Sequence, residues 1–100
     1  MRTITFFLLL TIAGITVATE LEKVKQKVAV CEACHGENGV SVHGDYPNLA
    51  GQHAQYLSAA LKSYRDGKRK DPMMFPMAFD LTDADIKEIA AYYSQMSISE

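Results

Sequence analysis

Apolar side chains recur at helical spacing in three separate stretches of this 100-residue chain, and no stretch alternates as a half-buried strand would. In the first, Leu21, Val24, Val28 and Cys31 share one face while Glu, Lys and Gln fill the other positions, which predicts an amphipathic helix over 20–33. In the second, Leu57, Ala60, Leu61 and Tyr64 predict a helix from Gln52 or His53 to about Asp66, with Gly67 as its stop. In the third, Thr82 is placed to cap a helix whose first turn holds Asp83 and Asp85, and Ile86, Ile89, Ala90 and Tyr93 form its stripe. Between them lie two long segments without periodicity. Residues 36–51 carry four glycines, a proline, two asparagines and an aspartate, and residues 68–81 contain Pro72 and Pro76, through which no helix is expected to persist. Residues 97–100 read as a frayed tail. The fold class is therefore all-α with long loops.

Ahead of the first helix stands a different pattern. Met1-Arg2 is a short basic start, and 4–18 is an almost unbroken apolar run ending in the small residues Thr16 and Ala18. A basic start, an apolar stretch and a small-residue site describe a secretory signal peptide, so residues 1–18 are expected to be removed and 19–100 to form one domain. The run is shorter than the roughly 20 apolar residues that span a bilayer, so removal ranks ahead of a retained anchor and no stable membrane insertion is expected afterwards. The chain from Thr19 would carry nine Lys/Arg against twelve Asp/Glu, a net charge of −3. Lys68-Arg69-Lys70 is a short isolated basic cluster rather than a stripe, which argues against nucleic acid as a partner.

A domain of this size buries little apolar surface and commonly relies on a disulfide, a metal or a cofactor. The chain has two cysteines, both in Cys31-Glu32-Ala33-Cys34-His35. Two cysteines separated by two residues and followed at once by histidine form the attachment signature of a c-type haem. On one turn of helix both thiols can reach the vinyl groups of a single porphyrin, and the adjoining imidazole meets the iron. Two other readings use the same residues. A structural zinc site wants about four ligands, and only His43 and His53 remain to complete one; a thioredoxin-like dithiol expects βαβ patterning, which is absent. Export also disfavours free thiols, and thioether bonds would consume them.

His35 supplies one axial ligand, and its second ring nitrogen should donate to a backbone carbonyl in the loop near Pro47. For the opposite face the candidates are Met73, Met74, Met77, His43 and His53. A thioether stabilises ferrous iron and raises its potential, which favours the methionine loop. Each candidate also has an ordinary role. Methionines fill cores, His43 sits in a polar loop, His53 begins a helix, and Tyr92 and Tyr93 suit helix packing better than cofactor contact.

These pieces together resemble a class I c-type cytochrome, and more narrowly the small bacterial monohaem domains of the c-four and c-five kind. The matching stretches are VCEACHGENG at 30–39, YPNLAGQ at 46–52, Tyr56-Leu57 with Leu61, Tyr64-Arg65-Asp66-Gly67 with Arg69, DPMMFPMA at 71–78, and LTDADI at 81–86 leading to Ala90-Ala91-Tyr92-Tyr93. The resemblance implies a small cytochrome c fold of three to four helices wrapped around one covalently bound haem c, with the first and last helices crossing. It also implies particular residues. In these relatives the methionine ligand lies seven residues before the leucine that introduces the last helix, here Leu81, which makes Met74 the ligand and Met77 the second choice. By the same resemblance Pro47 offers its carbonyl to His35, Leu49 packs on the haem, and Arg69 lies near a propionate. The c-four proteins carry two such domains in tandem where this chain carries one, and their segment before the first helix is glycine-rich where this one is rich in Glu and Lys.

The function expected is that of a periplasmic carrier of single electrons rather than an enzyme, passing them between a donor and an acceptor redox protein through the exposed edge of a His/Met-ligated haem. The alternative keeps the haem and places the chain as a subunit on a periplasmic dehydrogenase, such as a flavoprotein oxidising sulfur compounds. A sensor or peroxidase with an open iron would require that no methionine bind.

Overall fold

The computed structural model describes residues 2–6 and 13–98, the side chains of 13–18 excepted. Of the proposed signal segment, residues 1 and 7–12 fall outside the described residues, as do residues 99–100; the expected cleavage point after Ala18 falls within the first helix. Four helices make up the described chain: α1 (Ala13–His35), α2 (Ala54–Arg65), α3 (Met74–Ala78) and α4 (Asp83–Ser94). Among the described residues there is no strand, and no helix is long and apolar enough to cross a membrane.

Helix α4 is the hub. It packs against α1 on one side and α2 on the other, and α3 leans on α2. The core between them is small: Val24 and Val28 from α1, Leu57 from α2, and Ile89, Ala90 and Tyr93 from α4. All four residues of the stripe expected on α4 are buried, and the Thr82 cap is complete: its Oγ1 accepts from the Asp85 amide at 3.0 Å while its own amide donates to Asp85 Oδ2 at 3.0 Å. This reciprocal pairing satisfies two of the amides that a helix start otherwise leaves open.

Helix α1 is longer than its apolar stripe predicts, beginning at Ala13 and ending at His35. The stripe marks only the packed portion. Leu21, its first member, is 45% exposed, and burial begins at Val24. At the other end α1 stops because Gly36 takes φ +90°, where a Cβ would overlap the Val40 carbonyl oxygen. Lys27 clamps the crossing of α1 and α4, with its Nζ 2.8 Å from Asp85 and 2.6 Å from Glu88. The Glu/Lys-rich sequence of α1 thus takes part in the contact between the terminal helices.

The 68–81 segment departs from expectation, since it contains the one-turn helix α3 despite two prolines. Pro76 is the third residue of that turn, where no amide has an intrahelical acceptor, so its missing N–H costs nothing. Pro72 precedes it.

Candidate functional site

The Cys-Glu-Ala-Cys-His run forms the last turn of α1, so both cysteines and His35 are presented by helical geometry where the helix meets the 36–51 loop. No disulfide joins the two cysteines, and burial pushes the Cys31 thiol above its usual range. His35 is 7% exposed. Its Nδ1 lies 2.7 Å from the Pro47 carbonyl oxygen. A carbonyl can only accept, so Nδ1 carries a proton, and in the neutral ring this leaves the lone pair that a metal requires on Nε2.

The loop that brings Pro47 to His35 is held by its own backbone. Gly39 O accepts from Leu49 N at 2.8 Å and Ala50 N at 2.9 Å, Ser41 N donates to Asn48 Oδ1 at 2.7 Å, and Gly51 N donates to Tyr93 O at 3.0 Å on α4. Sixteen residues without regular structure are thereby fixed at several points.

Opposite this wall, Asp71 organises the methionine segment. Its Oδ1 accepts from the amides of Met73 at 2.9 Å and Met74 at 3.0 Å, and its carbonyl accepts from Phe75 N at 2.9 Å. The Met74 amide, followed by that of Met73, holds the Asp71 carboxyl below the usual range. Nothing in the apolar periodicity singles out Asp71; the Asp-Pro that opens the segment is its only sequence sign. Of the three methionines Met74 is half-buried, while Met73 is 57% and Met77 39% exposed.

Between the two walls lies a mostly apolar cavity of about 500 Å³. Cys31, Cys34, His35, Pro47, Leu49, Arg69, Met73, Met74 and Met77 line it. His43 and His53 do not, and both are exposed. Arg69 stands at the rim, its guanidinium 4.7 Å over the Tyr64 ring and hydrogen-bonded to Tyr56, which raises its pKa further. Arg65 ties α2 to the start of α4 through Asp83 Oδ1 at 2.7 Å and the Leu81 carbonyl at 3.2 Å, closing the segment that carries Met74. No group of three or more His, Cys, Asp or Glu is arranged to hold a metal ion among the described residues.

An apolar cavity whose lining holds two thiols one turn apart, an imidazole with Nδ1 engaged by a carbonyl, and methionine thioethers fits a flat macrocycle carrying its own iron. The comparison with known proteins points the same way, because the cytochrome c family model matches residues 21–97. The chain belongs to the cytochrome c family. The relatives it matches are electron carriers rather than enzymes, and the family's cofactor is covalently attached haem c, for which the chain has the two cysteines of a Cys-x-x-Cys-His run.

The chain is 51% identical over 73 residues to cytochrome c-554(548) of Halomonas halodenitrificans, a match covering 70% of this chain and 88% of that protein. It is 38% identical over 79 residues to a thiosulfate dehydrogenase electron acceptor of Stutzerimonas stutzeri, covering 76% of this chain and 37% of that one. The solved cytochrome c4 of Acidithiobacillus ferrooxidans has a TM-score of 0.70 at 30% identity, covering 75% of this chain and 48% of its own. The chain therefore spans most of the first relative, over a third of the second and about half of the third. Electron transfer with redox partners is the function these relatives share.

Proposed function

We propose that this chain is an exported, periplasmic carrier of single electrons whose haem c is bonded to Cys31 and Cys34 and ligated by His35 on one face and Met74 on the other. The observation that carries this reading is the pairing of walls. His35 is fixed by Pro47 with Nδ1 as donor, and the half-buried Met74, in the lining of the same apolar cavity, belongs to a turn organised by Asp71. When bound, the haem iron supplies a one-electron couple. The chain's own residues do the rest: Leu49 and Leu57 exclude water, Pro47 fixes the imidazole, Asp71 positions the thioether, and Arg69 offers a cation at the rim for a propionate. A ligand from each wall leaves no place for a substrate at the metal, and Met77 is the reserve ligand. In the same reading residues 1–18 are removed as a signal peptide, leaving the domain 19–100.

Haem staining after denaturation tests attachment, with the visible spectrum of the same sample. The wild type should retain the stain, and the Cys31→Ala, Cys34→Ala double variant should lose it; stain on the double variant would place attachment elsewhere. Sequencing of the exported protein should begin at Thr19.

The similarity to a thiosulfate dehydrogenase electron acceptor supports a second reading, in which the same haem domain is a subunit held on a dehydrogenase oxidising a sulfur compound. Co-purification with such an enzyme at fixed stoichiometry distinguishes it from a free shuttle.

A further inference from the structure

Tyr93 is fully buried, and its hydroxyl is the one buried side-chain polar atom without a hydrogen-bond partner among the described residues. The ring cannot easily move to find one. Tyr93 O is held by the amides of Gly51 at 3.0 Å and Met96 at 3.1 Å, Tyr92 stacks edge-on at 5.3 Å, and a Cβ added at Gly39 would come within 3.1 Å of Tyr93 Cδ1. Phenylalanine would fill the same space without burying an unpaired hydroxyl, so packing does not explain a tyrosine here. A trapped water is a poor partner, because it needs two to four polar contacts. The buried side chains grouped with Tyr93, namely Val24, Val28, Leu57, Ile89 and Ala90, offer none, and of those packed against them only Cys31, Tyr92 and Met96 carry a heteroatom.

Tyr93 also lines the cavity that Cys31, Cys34, His35 and Met74 share. We propose that the Tyr93 hydroxyl is a positioning donor for the cofactor, held in the cavity wall to hydrogen-bond an electron-rich acceptor on the bound haem, and that this bond raises the reduction potential. The inference rests on haem c occupying this cavity but not on which methionine ligates it. Burial pushes the phenol above its ordinary range, so it remains a donor throughout the working pH range. A donor withdraws electron density from its acceptor and so favours the reduced iron. The acceptors available are a thioether sulfur, the ring system or a propionate, and the direction is the same for each.

The test is Tyr93→Phe in the holoprotein, with Tyr92→Phe as control, followed by spectroelectrochemical titration over a pH series. Tyr93→Phe should retain stained haem and lower the equilibrium constant for reduction by about threefold or more, a fraction of what one hydrogen bond is worth. Its oxidised form should also unfold at a lower temperature, and Tyr92→Phe should leave the potential in place. A changed pH dependence of the potential identifies a propionate acceptor, and a uniform offset identifies the sulfur or the ring. A Tyr93→Phe holoprotein with unchanged potential and equal or higher thermal midpoint would overturn the proposal. Absence of stained haem from the wild type itself would instead count against haem c in the cavity.

Discussion

The two walls of the cavity are built differently. The histidine wall is the end of a long helix, buried, with its key side chain bonded to a loop that is itself tied to α4. The methionine wall is one turn of helix on an otherwise irregular segment, half exposed, held chiefly by the single carboxylate of Asp71. The first wall is part of the core and the second is hung beside it. Structure and ligation should therefore fail together on the histidine side and separately on the methionine side.

His35→Ala breaks the first wall and carries the largest expected effect. It removes a ligand and also strands the Pro47 carbonyl, a loss of about 1–3 kcal/mol if that group stays buried. The thermal midpoint of the holoprotein should fall by roughly 4–8 °C for each kcal/mol in a domain of this size. A midpoint within a degree of wild type would mean that the wall does not depend on that bond.

Met74→Ala tests the other side. The thioether-to-iron absorption at the red end of the visible spectrum should vanish and the potential should fall. Far-ultraviolet circular dichroism should hardly change, because Met74 is only half-buried. An unchanged spectrum in Met74→Ala, lost instead in Met77→Ala, would move the ligand to Met77.

Asp71→Ala sharpens the contrast without touching a ligand. The carboxyl is held below its ordinary range by the Met74 and Met73 amides, so its contribution is present above the usual carboxylate value and is lost as pH falls through the depressed one. In the wild type the methionine absorption should persist into acid. In Asp71→Ala it should be weaker at neutral pH and should lose this carboxyl's share of the acid transition, while the Pro47-anchored wall is unaffected.

The same contrast explains what the sequence disclosed. The stripes on α2 and α4 and the packed half of α1 were legible because burial on one face writes a 3.6-residue period, and the Cys31–His35 run was legible because its chemistry fits in one helical turn. Residues 19–21 of α1 are exposed and write no period of their own. Pro72 and Pro76 suggested that no helix would persist through 68–81, although a proline in the first turn loses no hydrogen bond. Met74 could be chosen over Met73 and Met77 only through family resemblance, since burial that separates them depends on how the segment closes against α2. The contacts made by Asp71, Lys27 and Arg65 escaped notice for a related reason. Apart from Asp66 beside Arg65, Lys27 and Arg65 find partners 16 to 61 positions away, and Asp71 acts on backbone amides that any residue would carry.

The smallest effect belongs to Lys27, and its smallness is informative about the firmer wall. Its ammonium is raised from 10.5 to about 12, first by Asp85 and then by Glu88, and Asp85 is held low chiefly by Lys27. The lysine's contribution is complete below pH 10.5 and is lost as pH rises through about 12. The Asp85 contribution is present above the ordinary carboxylate value and is lost as pH falls through its depressed one. Lys27 is nevertheless near the surface, with its side chain 32% exposed, so Lys27→Ala should cost no more than about 1 kcal/mol at neutral pH and less in high salt. Chemical denaturation at low and high ionic strength measures this directly. If Lys27→Ala instead cost as much as His35→Ala, the crossing of α1 and α4 would depend on that ion pair rather than on Val24, Val28, Ile89 and Tyr93. The histidine wall would then be no more a part of the core than the methionine turn.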